Sequence, residues 1–475
     1  MNADVGARGP TILHVAAVEY TASALLAPQM RWLLACGYDV RLACSPDGAS
    51  FPVSLAEFEP IELAFPRSGN PRAMQRACRR FVEIVNEMRP AVVHLHTPAA
   101  AIPSRMIFRS LIPRQTRIVY TVHGFAHVWD GGGLRDAVLE RVERLLAGRT
   151  DLLLFQSRED LEQAGRRGYR TSLRYLGNGV EDGWFGIPAR AAARNPMELL
   201  FVGRLIREKG VMDLLEALAS VHNAKLTLVG AELPTDRDGV EATARRRAEA
   251  SDLRGRVRFL GSVVKDDMPA VIAGCDAMVL PSYREGVPRS LIEGFAASRP
   301  AVATDVRGCR ELVQDGVTGF LAAPRCPDLL ATALRRLFDL STDHYRAMSA
   351  AAHELAFRQY RESAVLDRLL DAYTELGVAP PRLSSLRPPV VGDDIVAGHF
   401  GAGAPAEEEN RGGPIQGVGP VDMTVEEPQP EQQGADETSS VPRSGQTSDE
   451  VIQAPKQLSP RAGNRSRVDL VEPAK

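Results

Sequence analysis

Two glutamates with seven residues between them, Glu285 and Glu293, bracket the stretch PSYREGVPRSLIE at 281–293. A carboxylate can accept hydrogen bonds from two adjacent hydroxyls, so one such group could hold a ribose and the other a second sugar. The strand-like AMVL ends at Leu280, and Pro288 has the fixed φ that suits a first helical turn. The free amides of Val287, Arg289 and Ser290, at the positive end of such a helix, would cradle a diphosphate. Gly286 would let that ligand come close to the backbone. A plainer account fits the same residues, with Glu285 a favourable acid at a helix start and Arg289–Glu293 a surface pair four residues apart.

A second group is FVGRLIREKG at 201–210, where Arg204 and Lys209 flank the end of a strand. Two cations there could neutralise charge that builds on a departing diphosphate, work that something must do if no metal does it. They fit equally as surface cations beside Glu208. A third is YTVHGF at 120–125, in which His123 directly follows a strand and Gly124 permits a tight turn towards a cleft. A lone histidine is also a common structural residue, and the same holds for His94 and His96 in VVHLHTP. Asp236-Arg237-Asp238 spells a metal-binding DxD, but no strand leads directly into its proline-containing loop, so the reading is coincidence and no metal is expected.

Short apolar runs are expected to position these groups: 11–16, 39–44, 91–95, 117–122 and 151–156, then 198–202, 225–229, 256–260, 277–280, 300–303 and 319–322. Apolar on both faces, they read as buried parallel strands. Helical periodicity at 74–88, 135–147 and 211–221 lies between them, and at 342–377 it closes the folded region. Alternating strands and helices predict an α/β chain of two Rossmann-like domains. The expected boundaries are 10–188, then 196–358 after a patternless linker, a C-terminal helix at 359–379 returning to the first domain, and a disordered acidic tail at 380–475.

The net charge of −3 divides unevenly: residues 389–475 carry fifteen acids and seven bases, a balance of −8, which leaves the body at +5. That mild excess suits an anionic ligand or membrane surface. The tail is rich in Pro, Gly, Glu, Gln and Ser and cannot bury enough apolar surface to order itself. Six scattered cysteines form no CxxC pair and read as buried thiols in a reducing compartment. Neither a signal pattern nor an apolar run long enough to span a bilayer is seen, so a cytoplasmic location is expected. Arg67, Arg72, Arg76, Arg79 and Arg80, and then Arg105, Arg109, Arg114 and Arg117, mix with apolar residues in a way that suits peripheral docking on anionic lipid at the inner face of the plasma membrane. They fit a solvated helix face as well. The loop 124–134, with Trp129 and three glycines, reads as a flexible segment or a lid over an acceptor.

FVGRLIREKG together with LPSYREGVPRSLIEGFAASRPAVATDVRGCRELVQDGVTGFL resembles the C-terminal domain of retaining GT-B glycosyltransferases of family 4. Glu285 and Glu293 match that family's paired glutamates, Arg204 and Lys209 its basic pair, and His123-Gly124 its His-Gly turn. The likeness spans roughly residues 10–375 and implies two Rossmann-like domains facing a central cleft. It further implies catalytic roles for Glu285, His123, Lys209 and Arg204, and donor contacts from Arg204, Lys209, Glu285, Gly286, Val287, Arg289 and Glu293. No cofactor or metal is implied beyond the nucleotide-sugar donor. Two departures stand out. The loop after the first strand, AAVEYTASALL, lacks the family's glycines, and Ala99 in HTPAA stands where a branch extending polyprenyl-diphosphate-linked sugars has lysine. That branch implies a UDP-linked hexose or N-acetylhexosamine as donor and a polyprenyl-linked saccharide as acceptor, in envelope polysaccharide biosynthesis. A nucleotide-sugar epimerase of the same fold and a non-catalytic sugar-nucleotide-binding protein are the rival readings. A nicotinamide enzyme is excluded by the lack of GxGxxG after either first strand, and nucleic acid is not an expected partner, since the basic clusters lack interleaved stacking aromatics.

Overall fold

In the first domain, strands buried on both faces alternate with helices. In chain order the elements are β1 (Thr11–Val18), α1 (Glu19–Thr21), α2 (Ala27–Ala35), β2 (Asp39–Ser45), β3 (Ile61–Glu62), α3 (Pro71–Met88), β4 (Val92–His96), α4 (Pro98–Leu111), β5 (Arg117–Val122), α5 (Leu134–Ala147), β6 (Leu152–Phe155), α6 (Arg158–Arg166) and β7 (Ser172–Tyr175). The second domain has β8 (Met197–Val202), α7 (Val211–Ala219), β9 (Ala224–Val229), α8 (Glu241–Ala248), β10 (Val257–Gly261), α9 (Met268–Ala273), β11 (Ala277–Leu280), α10 (Arg289–Ala296), β12 (Ala301–Thr304), α11 (Arg307–Arg310), β13 (Gly319–Ala322), α12 (Pro327–Phe338), α13 (Thr342–Tyr360) and α14 (Glu362–Glu375). This computed structural model describes residues 9–48, 50–66, 70–125, 133–192, 195–232, 236 and 238–381, all within one compact unit, Met1–Ile395. The tail from 382 onward, Arg67 and most of the loop 124–134 lie outside the described residues, as does the side chain of Arg109.

The first sheet runs β3-β2-β1-β4-β5-β6-β7 and the second β10-β9-β8-β11-β12-β13, with every recorded pairing parallel. Strand order reverses between β1 and β4 and between β8 and β11, and crevices beyond the carboxyl ends of strands at such points are where doubly wound sheets take ligands. One face of the first sheet (Ile12, Ala16, Val92, Val119) packs with α2 and α14. Its other face (Leu13, Val15, Val93, Tyr120) packs with Phe81 and Ile84 of α3 and Ala164 of α6. Leu369 and Tyr373 of α14 are fully buried in the first domain's core, and burying each such side chain stabilises by about 1.5–3 kcal/mol. The chain therefore crosses back from the second domain and closes the first sheet's otherwise open face.

The structure differs from the sequence reading in three places. β3 and β7 are edge strands too short or too exposed to show a run. The helical stretch 342–377 is two helices, because Arg361 is extended (φ −61°, ψ 138°). That kink lets Val180 N–H donate to the Tyr360 carbonyl and Glu362 N–H to the Val180 carbonyl, at 2.9 Å each. Third, Arg105 is no surface cation. It is fully buried, pairs with Glu143 at 2.6 Å and lies 4.2 Å over the Tyr120 ring. Arg72, Arg76, Arg79 and Arg80 on α3, and Arg114 and Arg117, are exposed.

Candidate functional site

Lys209 ends a short 3-10 turn, Arg207–Lys209, that follows β8. Gly210 closes the turn at φ +68°, a left-handed conformation that glycine adopts without strain. A Cβ there would also collide with the Pro281 carbonyl at the end of β11. This close approach brings two strand ends together, and Lys209 Nζ meets Glu285 Oε1 at 2.6 Å. Ser282 Oγ–H donates to the same carboxylate at 2.6 Å, and Tyr283 N–H to the Glu208 carbonyl at 2.8 Å. Both charged partners are largely buried, so their attraction is screened less than a surface pair's.

Beyond Glu285 the chain enters α10 through Gly286, Val287 and Pro288. Among the described residues, the amides of Gly286, Val287, Arg289 and Ser290 find no backbone acceptor outside their own helix. They point a set of donors and a helix's positive end at the crevice. The Val287 carbonyl accepts from Asn178 Nδ2 at 3.0 Å, which anchors the interdomain segment to this loop.

The Arg289 guanidinium is already engaged. It pairs with Glu293 at 3.0 Å and Glu181 at 2.6 Å, and donates to the Gly179 carbonyl at 3.0 Å. Any contribution from Arg289 to an anionic ligand would thus run through its amide. Burial pushes the Glu293 carboxyl up from its ordinary range, with Arg289 pulling the other way. Burial also acts to raise Glu181, but Arg289 and Lys265 outweigh it and hold that carboxyl lower.

Arg204 stands half exposed past the end of β8 and pairs with Asp236 at 2.7 Å. Among the described residues no ion pair links it to Lys209, Glu285 or Glu293. Asp236 of the DxD-like stretch is thus the partner of a basic residue.

From the first domain, β5 delivers His123 and Gly124. A Cβ on Gly286 would strike the His123 carbonyl oxygen, and one on Gly124 (φ +141°) would lie 3.5 Å from Gly286 Cα. The carboxyl ends of the two sheets therefore meet at His123, Gly124 and Gly286. His123 is half-buried, and burial lowers its pKa to about 4, with a ring N–H donated to the Gln156 side chain opposing. The loop after β1 is helical and acidic. Tyr20 N–H donates to Asp47 at 2.9 Å and Asp47 N–H to Glu19 at 3.2 Å, so neither amide is free for a phosphate.

Sequence reasoning missed Glu181 and Asn178, whose partners lie more than a hundred residues away. It also missed how His94 and His96 are used. His96 Nδ1 lies 3.2 Å from His123 Nε2.

Comparison with known proteins finds a glycosyltransferase match on each sheet. The family described as Glycosyl transferases group 1 matches residues 196–339, and the Glycosyl transferase 4-like domain matches 21–179. EpsD of Bacillus subtilis (strain 168), assigned as a glycosyltransferase, is 26% identical over 76% of this chain and 96% of its own. A glycogen synthase of Mycobacterium tuberculosis is 31% identical over 60% of this chain and 69% of its own. The solved structure of Anabaena HepE in complex with UDP superposes with a TM-score of 0.62 at 20% identity, covering 77% of this chain and all of that one. With one family match on each sheet and the two strand ends converging on a single cleft, the chain belongs to the group 1 glycosyltransferases and is an enzyme of the two-domain GT-B fold.

Proposed function

We propose that the enzyme transfers a hexose or N-acetylhexosamine from a UDP-sugar to a polyprenyl-linked saccharide, with retention of configuration and without a metal, in envelope polysaccharide biosynthesis at the cytoplasmic face of the membrane. The observation that carries this reading is the Lys209–Glu285 pair at 2.6 Å, set beside the amides of Gly286 and Val287 and facing His123. In this reading Lys209 and Arg204 receive the charge that develops on the leaving diphosphate, and the start of α10 holds its oxygens. Glu293 takes the ribose and Glu285 the sugar hydroxyls. The acidic, hydrogen-bonded loop after β1 supports a diphosphate held by the second domain alone.

With its pKa near 4, His123 is neutral at physiological pH and a poor base. That favours a same-face displacement in which the leaving phosphate takes the acceptor's proton. The pairing of Asp236 with Arg204 supports the metal-free reading. UDP is the nucleotide in the HepE complex and is the donor assigned in this proposal. The exposed α3 arginines support contact with anionic lipid, and among the described residues no helix is long and apolar enough to cross a membrane.

A panel of UDP-, GDP- and ADP-sugars tested for protection against thermal unfolding checks the donor. A saturating UDP-sugar at a hundred times its Kd should add about 2.7 kcal/mol, and protection by GDP-sugars alone would remove the UDP assignment. Lys209→Ala and Glu285→Ala should each fold and lose turnover by about a hundredfold or more. Near wild-type rates in either would remove the site. Activity abolished by chelator and restored by manganese would end the metal-free reading. An inverted anomer in the product would end retention.

A further inference from the structure

Strands β1, β4 and β5 bring four imidazoles to one end of the first sheet, and three of them stand in line. His14 Nδ1 lies 3.0 Å from His96 Nε2, and His96 Nδ1 lies 3.2 Å from His123 Nε2. The register explains the line, with His14 opposite His94 and His96 opposite Thr121. Alternate residues on parallel strands share a face, so these groups and His123, just past β5, lie on the side closed by α14. His94 stands beside the line with both nitrogens engaged, one by Thr121 Oγ1 at 2.6 Å and the other by the Tyr373 hydroxyl of α14 at 2.7 Å.

A neutral imidazole has one N–H and one bare nitrogen. Each ring in the line must therefore donate in one direction and accept from the other, and the whole line has only two settings. His14 Nε2 decides between them, because it is buried and, among the described residues, has no hydrogen-bond partner. An N–H there would be an orphaned buried donor, which folded proteins rarely keep, whereas an unfilled acceptor is better tolerated. Hydrogen then sits on Nδ1 of His14, on Nδ1 of His96 and, at the far end, on Nδ1 of His123, where the Gln156 side chain can accept it. We propose that His14 and His96 are positioning residues that hold His123 as its neutral Nδ1–H tautomer, donating to the Gln156 side chain, so that the ring beside Gly286 is fixed in place and is not a base. This rests on the reading above that transfer takes place beside His123.

Burial lowers His14 to about 3 and His123 to about 4, and pushes His94 and His96 well below their ordinary value, with neighbouring imidazoles lowering these last two further. The line stays neutral at physiological pH, and the groups facing it (Thr121, Gln156 and Tyr373) bring no charge. A ring locked in its neutral form leaves proton removal to the departing phosphate.

The test uses the full chain with 15N-labelled histidine, in which nine histidines are present and the three are assigned by single substitutions. Expected is a protonated Nδ1 and a bare Nε2 on His14, His96 and His123, constant between about pH 6 and 8. A protonated Nε2 on His123, exchange between tautomers, or a charged ring would overturn the proposal. A stoichiometric metal on His14, His94 and His96, whose donor atoms lie within 4.8 Å of one another, would overturn it too. His14→Phe should release the line, mix the tautomers of His123 and lower kcat about tenfold with donor KM little changed. His14→Asn, whose side-chain N–H can replace the lost donor, should restore both. Equal loss in the two variants, or loss in neither, would overturn the assignment, and if His14→Phe fails to fold the wild-type spectrum decides. An Nδ1–H tautomer whose resonance ignores a bound nucleotide-sugar would displace the transfer site and leave the tautomer standing.

Discussion

Glu293 shows how one residue's position sets both its chemistry and its cost. Its side chain is 12% exposed, and burial raises its pKa despite Arg289 at 3.0 Å. The folded state therefore holds this proton more tightly than the unfolded chain does. The stability it contributes is present in acid and is lost as pH rises through the raised pKa. Glu293→Gln removes that dependence, and Arg289 keeps Glu181 as its partner. The variant's melting temperature relative to wild type should rise between about pH 4 and pH 8, by the equivalent of about 1 kcal/mol, while donor affinity falls about tenfold. A gap that is the same at both pH values would refute the role of burial. Glu285, Glu293, Arg204 and Lys209 could be picked out as candidates in the sequence because type and spacing together are informative, and the structure brings Lys209 to Glu285 but leaves Arg204 with Asp236. Glu181 and the histidine line were not legible there, since their meaning lies in hydrogen bonds between strands far apart in the chain. Arg105 misled for the converse reason. A cation followed by Met106, Ile107 and Phe108 looks like a surface anchor until its buried partner Glu143 is seen.

At the scale of elements, the site depends on two loops touching. The turn after β8 and the end of β11 approach so closely at Gly210 and Pro281 that Lys209 and Glu285 can pair. Gly210→Ala would impose a left-handed alanine, costing about 1–2 kcal/mol, and would drive a Cβ into the rigid Pro281 carbonyl. We expect a loss of about 2 kcal/mol or more in urea unfolding. Turnover should fall beyond what that loss explains, because Lys209 and Glu285 sit on opposite sides of the displaced contact. A variant with wild-type midpoint and rate would show that the approach is not needed. Eleven of the strands were readable, ten because strands buried along most of their length are rich in Val, Ile, Leu and Ala, and β10, which alternates half-buried and exposed positions, because Val257, Phe259 and Leu260 still mark a run. β3 has only two residues, and β7 alternates exposed and half-buried positions, so neither carries that signature. The break at Arg361 has no glycine or proline to announce it. It exists because Val180 of the interdomain segment takes up the backbone hydrogen bonds there.

A polar seam that no single domain's sequence pattern could reveal joins the two halves of the molecule. The start of α6 in the first domain faces α11 in the second. Ser157 Oγ and Arg158 N–H donate to Glu311 at 3.2 and 3.0 Å, Arg310 pairs with Glu159 at 3.1 Å, and Arg307 meets the buried Asp160 at 2.9 Å. The Arg310 pair is exposed and worth little. The Arg307 pair is different, because both groups are largely out of water and losing one takes a close counter-charge from the other, at a cost of about 3 kcal/mol. Arg307→Ala and Asp160→Asn should therefore each destabilise more than the double variant's excess over either, with a coupling of about 1–3 kcal/mol in a double-mutant cycle. Arg307 also reaches towards Gly124, the residue that meets Gly286 across the cleft. Loosening the seam should thus draw His123 away from the second domain without touching Lys209, Glu285 or Glu293. Turnover should drop while a UDP-sugar still protects the variant from thermal unfolding. Strictly additive losses would mean the pair is not coupled, and loss of donor protection together with turnover would mean the first domain helps to hold the donor after all.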